Sequence, residues 1–236
     1  MMQDRYAGDV GDFVKLGLLR ALSLGRQLGV AWYWYPDEDQ NGDGRHITYL
    51  DQPDRYEHLD PALFRHLRNI TRDARSINSL LPVLDGAISS DEAVDSSGIP
   101  SRERRDWRTA WFDRVLDHLS ACDLVFADPD NGIIDDNDQR RDRAKFGKQM
   151  PLAEVKALAR GRCAVIYHHN TRRCSGHDAE VDHWLGEIGV PGIALRGTAC
   201  SPTTFFVLNP DGEMEERVLG IWKRWAGMKV MLHGAR

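Results

Sequence analysis

Leu124-Val125-Phe126-Ala127-Asp128, followed at once by Pro129-Asp130-Asn131-Gly132, is the stretch that decides how this 236-residue chain reads. Four apolar residues, two of them the β-prone Val and Phe, are closed by an acid and then by Pro, Asp, Asn and Gly. Such a short apolar run bounded by turn formers reads as a buried strand that delivers a polar turn. The segments on either side set its context. Before it, Ser101 opens an amphipathic helix to about Leu119, with Trp107, Trp111, Val115 and Leu119 on one stripe. After it comes a polar loop over 130–148, and then a helix begun by Pro151 and closed by Gly161. A second apolar strand over 163–167 follows and ends in His168-His169-Asn170.

The same alternation continues outward. Asp9 or Asp12 can cap a first helix over 13–22, and residues 30–35 form an aromatic strand running into an acidic, glycine-bearing loop. Asp60-Pro61 caps a further helix, and 178–188 reads as another. Strands are expected over 193–195 and 203–209, with a tail helix over 213–231. Strands alternating with helices specify an α/β domain of Rossmann type, with a mostly parallel sheet covered by helices on both faces. The strands at 30–35, 124–128, 163–167 and 204–208 are expected in one sheet. One domain spans 1–236, and the stretch around 85–100 reads as an insertion or linker. In such sheets ligands bind beyond the carboxyl ends of the strands. That points to the loops at 37–44, 128–132 and 168–173.

Composition narrows the classes. With 42% apolar residues and seven tryptophans the chain can bury a sizeable core. No stretch approaches the roughly 18 apolar residues of a membrane span, and the N-terminus lacks an apolar signal core, so a cytoplasmic protein is expected. A formal net charge of -5 excludes coating nucleic acid through bulk charge, but it allows a local basic patch. Two such runs occur, at 102–114 and 140–148. Four cysteines without a CxxC pair support neither a disulfide framework nor a standard zinc site.

The residues themselves suggest chemistry at three places. Asp128 and Asp130 flank Pro129, and two carboxylates two residues apart on an extended strand leave on the same side. They can hold a divalent cation, or set one acceptor against a substrate amino group. The same four residues equally make an ordinary turn. His168 and His169 point to opposite faces, so at most one serves a given site, as acid, base or metal ligand. Lys15 stands at helical spacing behind Asp12, where it can meet the strand-end loops.

The N-terminal run Tyr6-Ala7-Gly8-Asp9-Val10-Gly11-Asp12-Phe13-Val14-Lys15 resembles the opening of the RlmJ-type ribosomal RNA adenine methyltransferases, a family of the class I S-adenosylmethionine-dependent superfamily. Three further places are similar, in the same order. Asn41-Gly42-Asp43-Gly44-Arg45-His46 stands where the family has a glycine-bearing loop. Asp128-Pro129-Asp130-Asn131 stands where it has Asp-Pro-Pro-Tyr. Gly197-Thr198-Ala199-Cys200-Ser201 and Phe206-Val207-Leu208-Asn209-Pro210 resemble its last-strand region. This chain departs from the family at Asp130-Asn131, where the aromatic that stacks a flipped base is missing. It also has no acid ending a second strand near 77–84 to hold a ribose.

The resemblance implies an S-adenosylmethionine-dependent methyltransferase acting on a nucleic acid or nucleotide-like substrate. Asp37, Gly42 and Gly44 would hold the cofactor, with Lys15 beside them. Asp128, Asp130 and Asn131, joined on the chemistry of the residues themselves by His168 and His169, would form the catalytic set. Two alternatives stay open. One is a magnesium- or manganese-dependent phosphodiester hydrolase or nuclease using Asp128, Asp130 and His168 as ligands. The other is a catalytically inactive relative that binds RNA or a protein. The sequence leaves the oligomeric state open.

Overall fold

The computed structural model of the protein describes residues 4–35, 46–72, 75–137, 144–171, 175–197 and 202–234. The chain forms an α/β fold around a seven-stranded mixed sheet, and a two-stranded ribbon stands beside it. In chain order the main elements are α1 (Val10–Leu22), β1 (Leu28–Ala31), α2 (Pro53–Tyr56), α3 (Pro61–Ile70), β2 (Ile88–Ser90), α4 (Arg104–His118) and β3 (Leu124–Ala127). There follow β4 (Ile133–Ile134), β5 (Met150–Pro151), α5 (Leu152–Leu158), β6 (Cys163–His169), α6 (Gly176–Ile188), β7 (Gly192–Gly197), β8 (Thr203–Leu208), α7 (Gly212–Trp225) and β9 (Val230–His233). The sheet order is β2-β1-β3-β6-β8-β7-β9, and β4 pairs with β5 in the ribbon.

The four strands expected in one sheet lie in one sheet. β2, β1, β3 and β6 are parallel, in a register that aligns Val30, Phe126 and Val165. The expectation of a mostly parallel sheet needs correction at the far side. There β8 runs antiparallel to both β6 and β7, and β9 antiparallel to β7. Residues 198–202 are all that joins β7 to β8. That is hairpin length, far short of the dozen or more residues a parallel crossover needs.

Strand alternation divides the core in two. Val30, Trp32, Leu124, Phe126 and Val165 face α1, α3 and α7, where they meet Phe13, Leu16, Phe64, Val218 and Trp225. Ala31, Tyr33, Val125, Ala127 and Ile166 face α4, α5 and α6, where they meet Trp111, Val155 and Trp184. The caps follow the sequence. Asp9 accepts the Asp12 amide at the start of α1, and Asp60 accepts the Leu63 amide at the start of α3, with Pro61 in the first turn.

Three boundaries differ from expectation. β1 begins at Leu28 and stops at Ala31, because Tyr33 takes a positive φ of 48° that ends the extended run. The apolar run after Ser76 is a 3-10 helix (Ile77–Val83), and the second strand lies later, at Ile88–Ser90, inside the stretch read as a linker. The tail helix stops at Trp225 and is followed by the edge strand β9. Among the described residues no helix is long and apolar enough to cross a membrane.

Candidate active site

From β1 the chain moves outward to β2, then returns across β1 to β3. The strand order therefore reverses between β1 and β3, and their carboxyl ends open a crevice there. β1 delivers Trp32 to Tyr35 to this edge and β3 delivers Asp128, whose amide donates to Ala31 O at 3.0 Å. The start of α1 lies on the same edge.

Asp128 is in phase with Leu124 and Phe126, so its side chain leaves on the α1 face. There it meets Lys15. The Lys15 Nζ stands 2.7 Å from Asp128 Oδ2 and 2.7 Å from Asp12 Oδ1, and 5.7 Å from the centre of the Trp32 ring. All three ionisable residues are buried, at 4%, 3% and 2% exposure for Lys15, Asp128 and Asp12. The second oxygen of Asp12 accepts the Gly8 amide at 2.8 Å. Burial works to discharge the Lys15 ammonium, but Asp12 and Asp128 outweigh it and hold the amine protonated above the usual lysine range. Burial pushes the Asp12 carboxyl up to about 6, against the pull of Lys15 and with added repulsion from Asp9 and Asp128. Tyr167, two residues before the end of β6, has its hydroxyl pKa raised first by burial and then by the negative charges of Asp128, Asp9 and Asp12.

The Ala7-Gly8-Asp9 segment is pinned around this group. Gly8 has a φ of 87°, and a Cβ there would lie 2.5 Å from Thr71 Cγ2. Gly8 O accepts from the Tyr49 hydroxyl at 3.1 Å, and Arg75 Nε donates to Ala7 O at 2.6 Å. The sequence motif from Tyr6 to Lys15 is thus the support of one buried cation and its two carboxylates.

After Asp128 the chain does turn. Gly132 N donates to Pro129 O, Asn131 N to Lys148 O, and Met150 N to Gly132 O. Asp130 is half-buried and Asn131 exposed. His168 lies under this turn on the other face of the sheet. Its Nδ1 accepts the Ile133 amide at 2.9 Å, and its Nε2 stands 3.2 Å from Glu180 Oε1. Both ring nitrogens are therefore used within the fold. His169 leaves on the Asp128 face and is half-buried, and burial, with His168 beside it, lowers its pKa.

The structure thus brings Lys15 and Asp128 together and sets His168 apart from them. Asp37, Gly42 and Gly44 lie outside the described residues, as does part of the loop at 168–173. Among the described residues no group of three or more His, Cys, Asp or Glu is placed to hold a metal ion. Two residues gain a role that sequence reasoning missed. Asp12 shares the lysine; its spacing to Lys15 was visible, but not its burial. Glu180, 1% exposed, gathers the ends of β6, and nothing in the local sequence of α6 marks it.

A second buried cluster sits beneath β1. Arg108 makes a two-point contact with Glu154 at 2.8 Å, lies over the Tyr33 and Trp111 rings, and shares Glu154 with the Tyr33 hydroxyl. It fixes the strained Tyr33 where the chain leaves β1. A groove of about 840 Å³, lined in part by Arg26, Cys122, Arg162 and Cys163, lies at the opposite, amino-terminal edge of the sheet. Arg162 there donates to Leu158 O and Leu119 O, serving carbonyls at the ends of α5 and α4. That groove holds none of the residues expected to carry chemistry. No protein-family model and no curated protein matches the chain.

Proposed function

We propose that the protein is a Rossmann-like, S-adenosylmethionine-dependent methyltransferase acting on an amino group of a nucleic acid or nucleotide-like substrate. The observation that carries this is the position of Asp128. It ends the strand on one side of the sheet's reversal point, and a buried lysine fixes its carboxylate.

The described residues at this edge suit the cofactor, while Asp37, Gly42 and Gly44 follow β1 in sequence and lie outside the described residues. The neighbouring strand β2 is followed directly by the exposed Asp91, an acid in the place where a ribose would be held. Ser90 O accepts the Trp32 amide and Trp34 O the Val94 amide, which keeps Asp91 beside the exit of β1. Bound there, S-adenosylmethionine supplies the methyl group.

The protein's own groups would do the rest. A carboxylate oxygen of Asp128 accepts a hydrogen bond from the substrate amino group and stabilises the positive charge that grows on nitrogen as it attacks. Lys15 and Asp12 hold that carboxylate in one orientation. Basic side chains border the edge. Arg72 and Arg75 follow α3 beside Gly8. On the other side α4 runs antiparallel to β2, with His118 at Ser89 and Arg114 at Glu92. Its first turn, with Arg102 and Arg105 just before and within it, therefore projects past the carboxyl edge. Such a local rim suits a phosphate backbone on a protein of net negative charge.

The geometry supports metal-dependent hydrolysis less, because Lys15 occupies one oxygen of Asp128 and His168 has no free ring nitrogen. Asp128→Asn is expected to lower methyl transfer from S-adenosylmethionine by about two orders of magnitude or more. Thermal stability should change little, since Lys15 keeps Asp12. The measurement is transfer of labelled methyl groups to adenine-containing RNA, DNA and nucleotides. If the unmodified protein labels none of them, the proposal is wrong.

A further inference from the structure

Glu180 is buried in α6 and collects donors from the end of β6. His168 Nε2 stands 3.2 Å from one oxygen and Asn170 Nδ2 3.3 Å from the other. The Thr171 amide reaches both oxygens at 3.0 and 2.9 Å, and the Thr171 hydroxyl donates at 2.6 Å. No Lys or Arg pairs with it among the described residues. Burial opposes the charge, but the hydrogen bonds from His168 and Thr171 outweigh it and bring the carboxyl down to about 2.

The ring of His168 has a fixed tautomer. A backbone N–H can only donate, so the Nδ1 that faces Ile133 N carries no proton. The proton sits on Nε2 and is donated to Glu180. The same ring is pressed against the turn, since a Cβ on Gly132 would lie 2.3 Å from His168 Nδ1. Asn170, whose Oδ1 accepts from Thr204 Oγ1 at 2.8 Å, ties Glu180 to β8 as well. A chain of contacts therefore runs from α6 through His168 to the amide that follows the Asp128 turn.

We propose that Glu180 is a positioning residue: by holding His168 in its Nε2–H tautomer it keeps Nδ1 as the acceptor for Ile133, and so sets the turn that carries Asp128. This rests on the reading of the Asp128 turn as the catalytic centre, but its tests do not depend on activity. In the unmodified protein, nitrogen-15 spectra should show His168 with a bare Nδ1 and a protonated Nε2. In Glu180→Ala the tautomers should mix, the Asp128 carboxyl resonance should move, and exchange of the Ile133 amide should quicken at least about tenfold. The Val125 and Phe126 amides in the core should keep their rates. His168→Leu should reproduce the loss at Ile133 and Asp128, and His168→Asn, whose oxygen can stand in for Nδ1, should restore both.

A proton on Nδ1 in the unmodified protein overturns the proposal even if no variant folds. So does unchanged Ile133 protection in Glu180→Ala, or faster exchange at every core amide together, which would make Glu180 a general stabiliser. Absence of methyl transfer with these spectra intact would count against the proposed function alone.

Discussion

Replacing Lys15 with methionine is expected to destabilise the fold by about 3–5 kcal/mol, the usual cost of leaving a buried charge without its partner. Methionine matches the length and fills the space, so packing is not the cause. What is lost is the cation set between Asp12 and Asp128, both 2.7 Å away and both shielded from water. A loss of that size is a large part of the roughly 5–15 kcal/mol that holds a typical domain folded. Urea unfolding measures it.

The pH dependence carries a second signature. The Asp12 carboxyl is at about 6 in the folded protein against 3.8 for a free aspartate, so between those values the folded state holds the extra proton. Its contribution to stability therefore falls as pH rises from about 4 to 6, and is flat above. Without Lys15 the folded carboxyl rises further, and the fall should extend to higher pH. The triple variant Lys15→Met, Asp12→Asn, Asp128→Asn should regain most of the loss. A loss below about 1 kcal/mol in Lys15→Met would place these groups in water rather than in the core.

Gly132→Ala is expected to cost about 3–5 kcal/mol, combining a left-handed backbone with overpacking. The φ of 74° disfavours any L side chain. The added methyl would also lie 2.3 Å from His168 Nδ1 and 2.8 Å from both His168 Cα and His169 N. Two of those atoms are backbone in a central strand and cannot step aside. Gly161, whose φ of 73° is similar but which has open space around it, is the control: alanine there should cost about 1 kcal/mol from the backbone alone. Equal costs at the two positions would mean that the turn does not rest on His168.

These two residues show how far the sequence carries. β3 is legible because its residues alternate between two cores, and each half of the pattern is apolar. The caps at Asp9 and Asp60 are legible because capping is a local act. β2 is not, for it is three half-buried residues at the sheet edge with no apolar run to reveal it. Once it is placed, Asp91 is seen to follow that strand directly. The direction of β8 lies in the shortness of 198–202 rather than in the strand's own residues. The aromatic run after Ala31 has strong β preference, but burial of Tyr33 against Arg108 and Glu154 overrides it.

Within the site, the i, i+3 pair Asp12 and Lys15 is visible in sequence, while its third member lies 113 residues away from Lys15. The two adjacent histidines are separated by the strand's alternation, as expected. Which of them the fold consumes depends on Glu180, whose importance comes wholly from tertiary contact.

The proposed function requires the crevice between the ends of β1 and β3 to bind S-adenosylmethionine. The most direct measurement is a backbone amide spectrum of the unmodified protein titrated with that cofactor to millimolar concentration. Saturable shifts should appear at Tyr33 to Tyr35, at Asp91 and from Asp128 to Gly132. The amides of Cys122 and Cys163, at the opposite edge of the sheet, should stay in place. No shift at the β1 and β3 ends, or shifts confined to the groove at Cys122 and Cys163, would contradict it.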